Sequence, residues 1–306
     1  MSTPDVNGQF LISICIILLG YLAKRTRYLT EKEGESIAQL IFNITLPALV
    51  INVFSTLPLQ PQLALLPVLG FVVNGVLCLS ILFIFRKYDR KIRGMMGMAL
   101  PGANIGLLAY PLVEAIWGKQ GLTYVAMYDL GNSYVVFLVC YVVGAYFSGE
   151  KPLSWRELLH SVLRSIPVMT SLLALSINLL GLKLPELVLQ TTQVVAKANM
   201  PLSLLLLGMY LNFSFPAAQR KILLQALCCK YVIGGTLGGL LCWLLPYDAL
   251  FRHSLLLAGV LPLPTMVLTY AVIFGYDRRL SGAMLNASVI LSILFSWLVF
   301  HFSTLS

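Results

Sequence analysis

Charge is what this chain of 306 residues has least of: 11% of its residues are Asp, Glu, Lys or Arg, where a soluble domain carries about a quarter. With 58% hydrophobic residues and a mean hydropathy of +0.86, that deficit excludes a soluble globular domain. Histidine is also scarce: His160, His253 and His301 are the whole set, each near the end of an apolar run. No HExxH, no aspartate-rich DDxxD and no GxxxxGK[ST] occurs, which argues against an intramembrane metalloprotease, a prenyl transferase and a pump driven directly by ATP. The chain is therefore read as a non-enzyme without a cofactor. Its six cysteines (Cys15, Cys78, Cys140, Cys228, Cys229, Cys242) lie inside apolar segments without metal-ligand spacing, so neither a disulfide nor a metal site is expected. Acidic residues are fewer than basic ones, 12 against 21, for a net charge of +9. The basic residues sit in short clusters beside apolar runs, the pattern of membrane anchoring and not of nucleic-acid binding.

What is abundant is apolar sequence in runs of about 20 residues, the length needed to cross a bilayer. Spans are predicted near 7–24, 34–55, 62–85, 93–117, 121–147, 157–180, 185–212, 219–245, 250–275 and 279–302. Short loops leave no room for a soluble catalytic domain, and the N-terminus, which lacks a basic leader, reads as a retained first span. The loops after the odd-numbered spans hold 16 of the 21 basic residues. The positive-inside bias then places both termini outside.

The two halves resemble each other. FNITLPALVINVFS and AKANMPLSLLLLGMYLNFS superpose on Pro47 and Pro201, and WGKQGLTYVAMYDLGNSYVVF and FGYDRRLSGAMLNASVILSI on Gly118 and Gly275, at offsets of 154 and 157 residues. Five spans per half is an odd number, so the halves cross the membrane in opposite senses, as in many secondary transporters. The expected division is a first five-helix repeat over 1–148, a short cytoplasmic linker at 149–156 and a second repeat over 157–306.

The fourth and ninth spans carry two prolines each within apolar sequence, MALPGANIGLLAYPL and LAGVLPLPTMVLTYAV. A mid-helix proline removes a donor and clashes with the preceding turn, at a cost of about 3 kcal/mol. Pro101-Gly102 and Pro262-Leu263-Pro264 are expected to break their helices, leaving backbone groups that hydrocarbon cannot satisfy. The half-helix N-termini then offer N–H donors and positive dipole ends to an anion, with Asn104 and Thr265 placed to touch it.

The stretches GYLAKRTRYLTEKEGESIAQLIFNITLPALVINVFS, GANIGLLAYPLVEAIWG, MYDLGNSYV, VAKANMPLSLLLLGM and AGVLPLPTMVLTYAVIFGYD resemble, in order and over nearly the whole chain, the auxin efflux carrier family, which holds plant auxin exporters and bacterial malonate-type carboxylate carriers. The resemblance implies an all-α polytopic protein of ten transmembrane helices, two inverted repeats with crossed, broken helices 4 and 9 as in bile-acid symporters and sodium–proton antiporters. It also implies scaffold and transport domains each drawn from both repeats, and a homodimer. The short segment SGEKPLSWRE between the halves fits the compact bacterial type, hence a bacterial inner membrane. By the same resemblance the proline crossover with Asn104 binds a carboxylate. Thr265 stands where plant members have asparagine, which argues against auxin itself.

Three charges lie at membrane depth, where each needs a partner, water or a function: Asp129, Lys197 and Lys230. Lys230 either snorkels or packs and is left out of the site. Asp129 and Asn132 share a helix face, as do Asn43 and Pro47, making a polar stripe beside the crossover. Lys197 is the repeat equivalent of Asn43, and Asn286 of Asp129. Asp129 either couples transport to protons or sodium or neutralises Lys197; Lys197 either binds substrate or fills the place of a coupling cation. Tyr110 and Asn199 complete the expected substrate-binding set of Asn104, Pro101, Gly102, Thr265, Pro262, Pro264, Asn43 and Lys197. The expected function is transport of a small organic anion by alternating access, the alternative being a sodium- or proton-coupled carrier of another substrate.

Overall fold

A computed structural model describes residues 6–303 apart from 56, 58–59, 150–154 and 213–218, so most of the expected linker lies outside the described residues. All regular secondary structure among the described residues is helical, with no strand among them. In chain order the helices are α1 (Val6–Arg25), α2 (Glu31–Ser55), α3 (Pro61–Lys87), α4 (Arg90–Ala99), α5 (105–117), α6 (119–148), α7 (Trp155–Arg164), α8 (Ile166–Leu179), α9 (Glu186–Ala196), α10 (Asn199–Tyr210), α11 (Arg220–Leu244), α12 (Ala249–Gly259), α13 (Met266–Ile273) and α14 (Arg278–Ser303). Gly118, at φ 62°, divides α5 from α6. Helix α2 opens with a capping box between Thr30 and Glu33.

Among the described residues six segments are long and apolar enough to cross a membrane: Val6–Arg25, Glu31–Ser55, Pro61–Lys87, Ile105–Ser148 (kinked at Gly118), Arg220–Leu244 and Arg278–Ser303. The other expected spans are interrupted. Two are divided at the proline breaks, after Ala99 and Gly259. The remaining two are divided before Pro167 and at Lys197–Ala198, where the sequence predicts unbroken helix. Helix α2 passes through Pro47 unbroken, but the turn before it, Ile41–Thr45, widens to π-helix. Such widening leaves the backbone ladder locally out of register and recurs at functional positions; here it repeats at Ile105–Ala109 and Val135–Val139.

The chain divides into two compact units, each drawn from both halves of the sequence: 1–64, 105–127 and 163–211 form the first, and 65–104, 128–162 and 212–306 the second. In the first, α1 lies against α10 so closely that a Cβ on Gly20 would stand 2.0 Å from the Leu205 carbonyl oxygen, and one on Gly208 1.9 Å from that of Ile17. Only glycine permits that approach, the usual device where lipid gives no hydrophobic drive to helix pairing. At its centre Thr45 Oγ1 donates to Asn199 Oδ1 at 3.1 Å, and both residues are buried.

The second unit is built on an apolar cluster that includes Leu77, Ile81, Phe85, Met96, Leu100, Leu227, Leu263, Tyr270, Phe274 and Met284. Tyr141 meets Phe274 edge-on at 5.1 Å between ring centroids. The phenol of Tyr276 donates to Gly144 O at 2.7 Å. This packing surrounds both proline breaks.

Candidate functional site

Proline and glycine leave residues 100–104 and 260–265 outside regular helix, and the second unit holds both segments. They join directly: the amide of Asn104 donates to Pro262 O at 2.9 Å. An irregular backbone at membrane depth must find its partners within the protein, and the two breaks find them differently.

At the first break every polar backbone atom of Gly102 and Ala103 is engaged by a side chain. The Gly102 amide donates to Asn74 Oδ1 of α3 at 3.1 Å, and its carbonyl accepts from Lys230 Nζ of α11 at 2.6 Å. Asn132 of α6 brackets Ala103, accepting from its amide at 2.8 Å and donating to its carbonyl at 3.0 Å. The same Asn132 amide donates to Asp129 Oδ1 at 2.9 Å. Asn74 also donates to Gly70 O at 2.8 Å and to the Tyr128 hydroxyl at 3.2 Å. Gly102 sits at φ 79°, a left-handed conformation that any residue with a Cβ adopts under strain.

The second break is held by hydroxyls. Leu263 N donates to Ser288 Oγ at 3.1 Å, and Ser292 Oγ donates to Val260 O at 2.7 Å, both from α14. Tyr231 of α11 supports the pair by donating to Ser288 O at 2.6 Å. Pro262 and Pro264 have no amide hydrogen to satisfy.

The amides within the breaks themselves are engaged by the protein. The amides of Gly102, Ala103, Asn104 and Leu263 are all donated to protein acceptors, so they do not converge on an anion. The polar side chains at the breaks are those of Asn104, buried, and Thr265, half-buried.

The residues singled out in the sequence fall in both units. Pro101, Gly102, Asn104, Pro262, Pro264, Thr265, Asp129, Asn132 and Asn286 belong to the second. Asn286 does not repeat the Asp129 arrangement: its Oδ1 accepts from Asn212 N at 2.8 Å and its amide donates to Gly282 O at 2.8 Å. Asn43, Tyr110, Lys197 and Asn199 belong to the first unit. Asn43 and Lys197 are exposed there, Tyr110 and Asn199 buried, and Thr45 rather than Asn43 makes the bond to α10. Two residues that hold the first break lie outside the set expected from sequence. Asn74 gives no signal beyond a lone amide in an apolar run. Lys230, which is 1% exposed, is recognisable as a deep charge but its partner is not.

A family described as "membrane transport protein" matches residues 6–300. An uncharacterized transporter of Methanocaldococcus jannaschii is 24% identical over 302 residues, covering 94% of each chain. Another, from Methanothermobacter thermautotrophicus, is 26% identical over 208 residues, 66% of this chain and 67% of its own length.

Proposed function

Since the chain belongs to the membrane transport protein family that includes the auxin efflux carriers, and is a multi-pass membrane transporter and not an enzyme, we propose that it is a secondary carrier of a small organic carboxylate. The observation that carries this reading is the direct junction of the two break segments within the second unit, Asn104 N to Pro262 O, with Asn104 and Thr265 as the polar side chains there. A site of that kind meets an anion with oriented dipoles and an amide instead of a fixed metal.

In this reading the interrupted segments count as crossings together with the continuous ones, giving ten in two inverted repeats with both termini outside. Two features support the symmetry. Gly118 and Gly275, superposed from sequence, share a left-handed backbone at φ 62° and 67°. Thr45 and Asn199, which bond to each other, stand 154 residues apart, the offset that relates Pro47 to Pro201. That each compact unit draws on both halves supports alternating access in which the break-bearing unit moves as a body. Homodimerisation and residence in a plasma membrane belong to the same proposal.

The test is thermal stabilisation of the purified carrier by a panel of mono- and dicarboxylates, with Asn104→Ala as the comparison. A rise in unfolding midpoint for one class of acid, lost in Asn104→Ala at unchanged basal midpoint, supports the reading. Equal stabilisation of both proteins by every acid contradicts it.

A further inference from the structure

Lys230 and Asp129 do not touch, yet they are joined through a single peptide group. The peptide linking Gly102 to Ala103 receives the Lys230 ammonium on its carbonyl oxygen, 2.6 Å away. Its N–H, which is the Ala103 amide, donates to Asn132 Oδ1 at 2.8 Å. Asn132 in turn donates to Asp129 Oδ1 at 2.9 Å. Positive charge thus lies at the oxygen end of this peptide and negative charge, passed through one amide, at its nitrogen end. Both polarise the peptide in the same sense, and hydrogen bonds in such a chain strengthen one another at low dielectric.

We propose that Lys230 and Asp129 are an indirect ion pair that acts through the Gly102–Ala103 peptide and Asn132 as one positioning unit for the transport site. Neither residue binds the substrate. Together they hold the peptide immediately before Asn104 in its non-helical conformation, and Lys230 supplies at Gly102 O the positive charge that a coupling cation would otherwise bring. In this proposal the buried charge that Asp129 balances is that of Lys230, where the sequence offers Lys197 as one alternative. A buried ammonium left without a balancing charge is expensive in a bilayer, and removing one partner of a buried pair costs far more than removing both.

The inference about transport rests on the carboxylate-carrier reading, but the electrostatic claim does not, and the experiment separates them. Lys230→Met, Asp129→Asn, the double variant and Lys230→Arg are purified, and their unfolding midpoints are measured without substrate in sodium and in choline buffers. Each single neutralisation lowers the midpoint, the double variant recovers most of the loss, and Lys230→Arg stays closest to the native protein. In Lys230→Met alone, sodium raises the midpoint, because Gly102 O is then left for a cation. Uptake of the stabilising acid follows the same order, with losses of about tenfold or more in the single variants and a smaller loss in the double. Midpoint losses that simply add in the double variant overturn the indirect pair, as does a native protein whose midpoint and uptake both require sodium. If the native protein moves no carboxylate while the midpoints still show recovery in the double variant, the carrier reading falls and the indirect pair stands.

Discussion

The two breaks of the second unit face the same difficulty and meet it with different chemistry. At 260–265 the prolines remove donors, and two serines of α14 with Tyr231 behind them take Leu263 N and Val260 O, the other bonded carbonyls being met by backbone amides. At 102–103 a glycine frees the backbone, all four polar backbone atoms need partners, and two asparagines and a lysine hold them. The first break is thus the more polar and the more dependent on side chains. It is also the one that carries Asn104. The difference teaches that the proline-rich break leaves fewer donors to satisfy, while the shape of the glycine-bearing break depends on amide and charged side chains.

The comparison breaks most severely at Asn132. Replacing it with Leu leaves the Ala103 N–H and C=O and the Asp129 carboxylate without this donor and acceptor, a loss of about 3–5 kcal/mol from buried polar groups. Chemical unfolding in mixed micelles, with uptake assayed in parallel, should show both collapse. Gly102→Ala comes next. The φ of 79° is unfavourable for alanine, and the new Cβ would stand 2.5 Å from Val136 Cγ2; a cost of about 1–3 kcal/mol follows, read as a lower unfolding midpoint with transport reduced in proportion. Ser288→Ala, at the second break, removes one acceptor from Leu263 N and should cost about 1–2 kcal/mol. Its transport rate should fall less than that of either change at the first break; an equal or larger fall would erase the distinction.

The smallest effect is expected away from both breaks, at the entry to α14. Burial pushes the Asp277 carboxyl up, but the Gln219 amide, the amides of Leu280 and Arg279 and the Arg279 charge together hold it below its ordinary value of 3.8. A carboxyl held low contributes stability above its unfolded value, and that contribution is lost as pH falls through the folded one. Asp277→Asn should therefore be slightly less stable at neutral pH and show a shallower decline on acidification below about pH 4. Unfolding midpoints of both proteins across an acid series would check it.

Much of this arrangement is legible in the sequence where its cause is local. Proline and glycine act on their own backbone, so the breaks after Ala99 and Gly259 follow from the residues at those positions alone. Hydropathy likewise finds the continuous spans. What the sequence hides is set by packing. The interruption at Lys197–Ala198, the widened turn before Pro47 and the left-handed Gly118 have no unambiguous local signature, because each depends on which helix lies alongside. The site follows the same rule. Asn104, Asn132 and Asp129 are identifiable from depth and spacing. Lys230 stands out as a charge needing explanation, but its carbonyl partner lies 128 residues away in the chain. No spacing within α11 reveals that bond.

The proposed anion site is tested most directly by uptake of a labelled carboxylate, chosen from those that stabilise the purified protein, into liposomes holding either the native protein or Asn104→Ala. Saturable uptake by the native protein, competed by other carboxylates but not by their uncharged amides and lost in Asn104→Ala, is the predicted result. Uptake that is equally rapid in both proteins, or equally competed by the uncharged amides, would contradict an anion site at the junction of the two breaks.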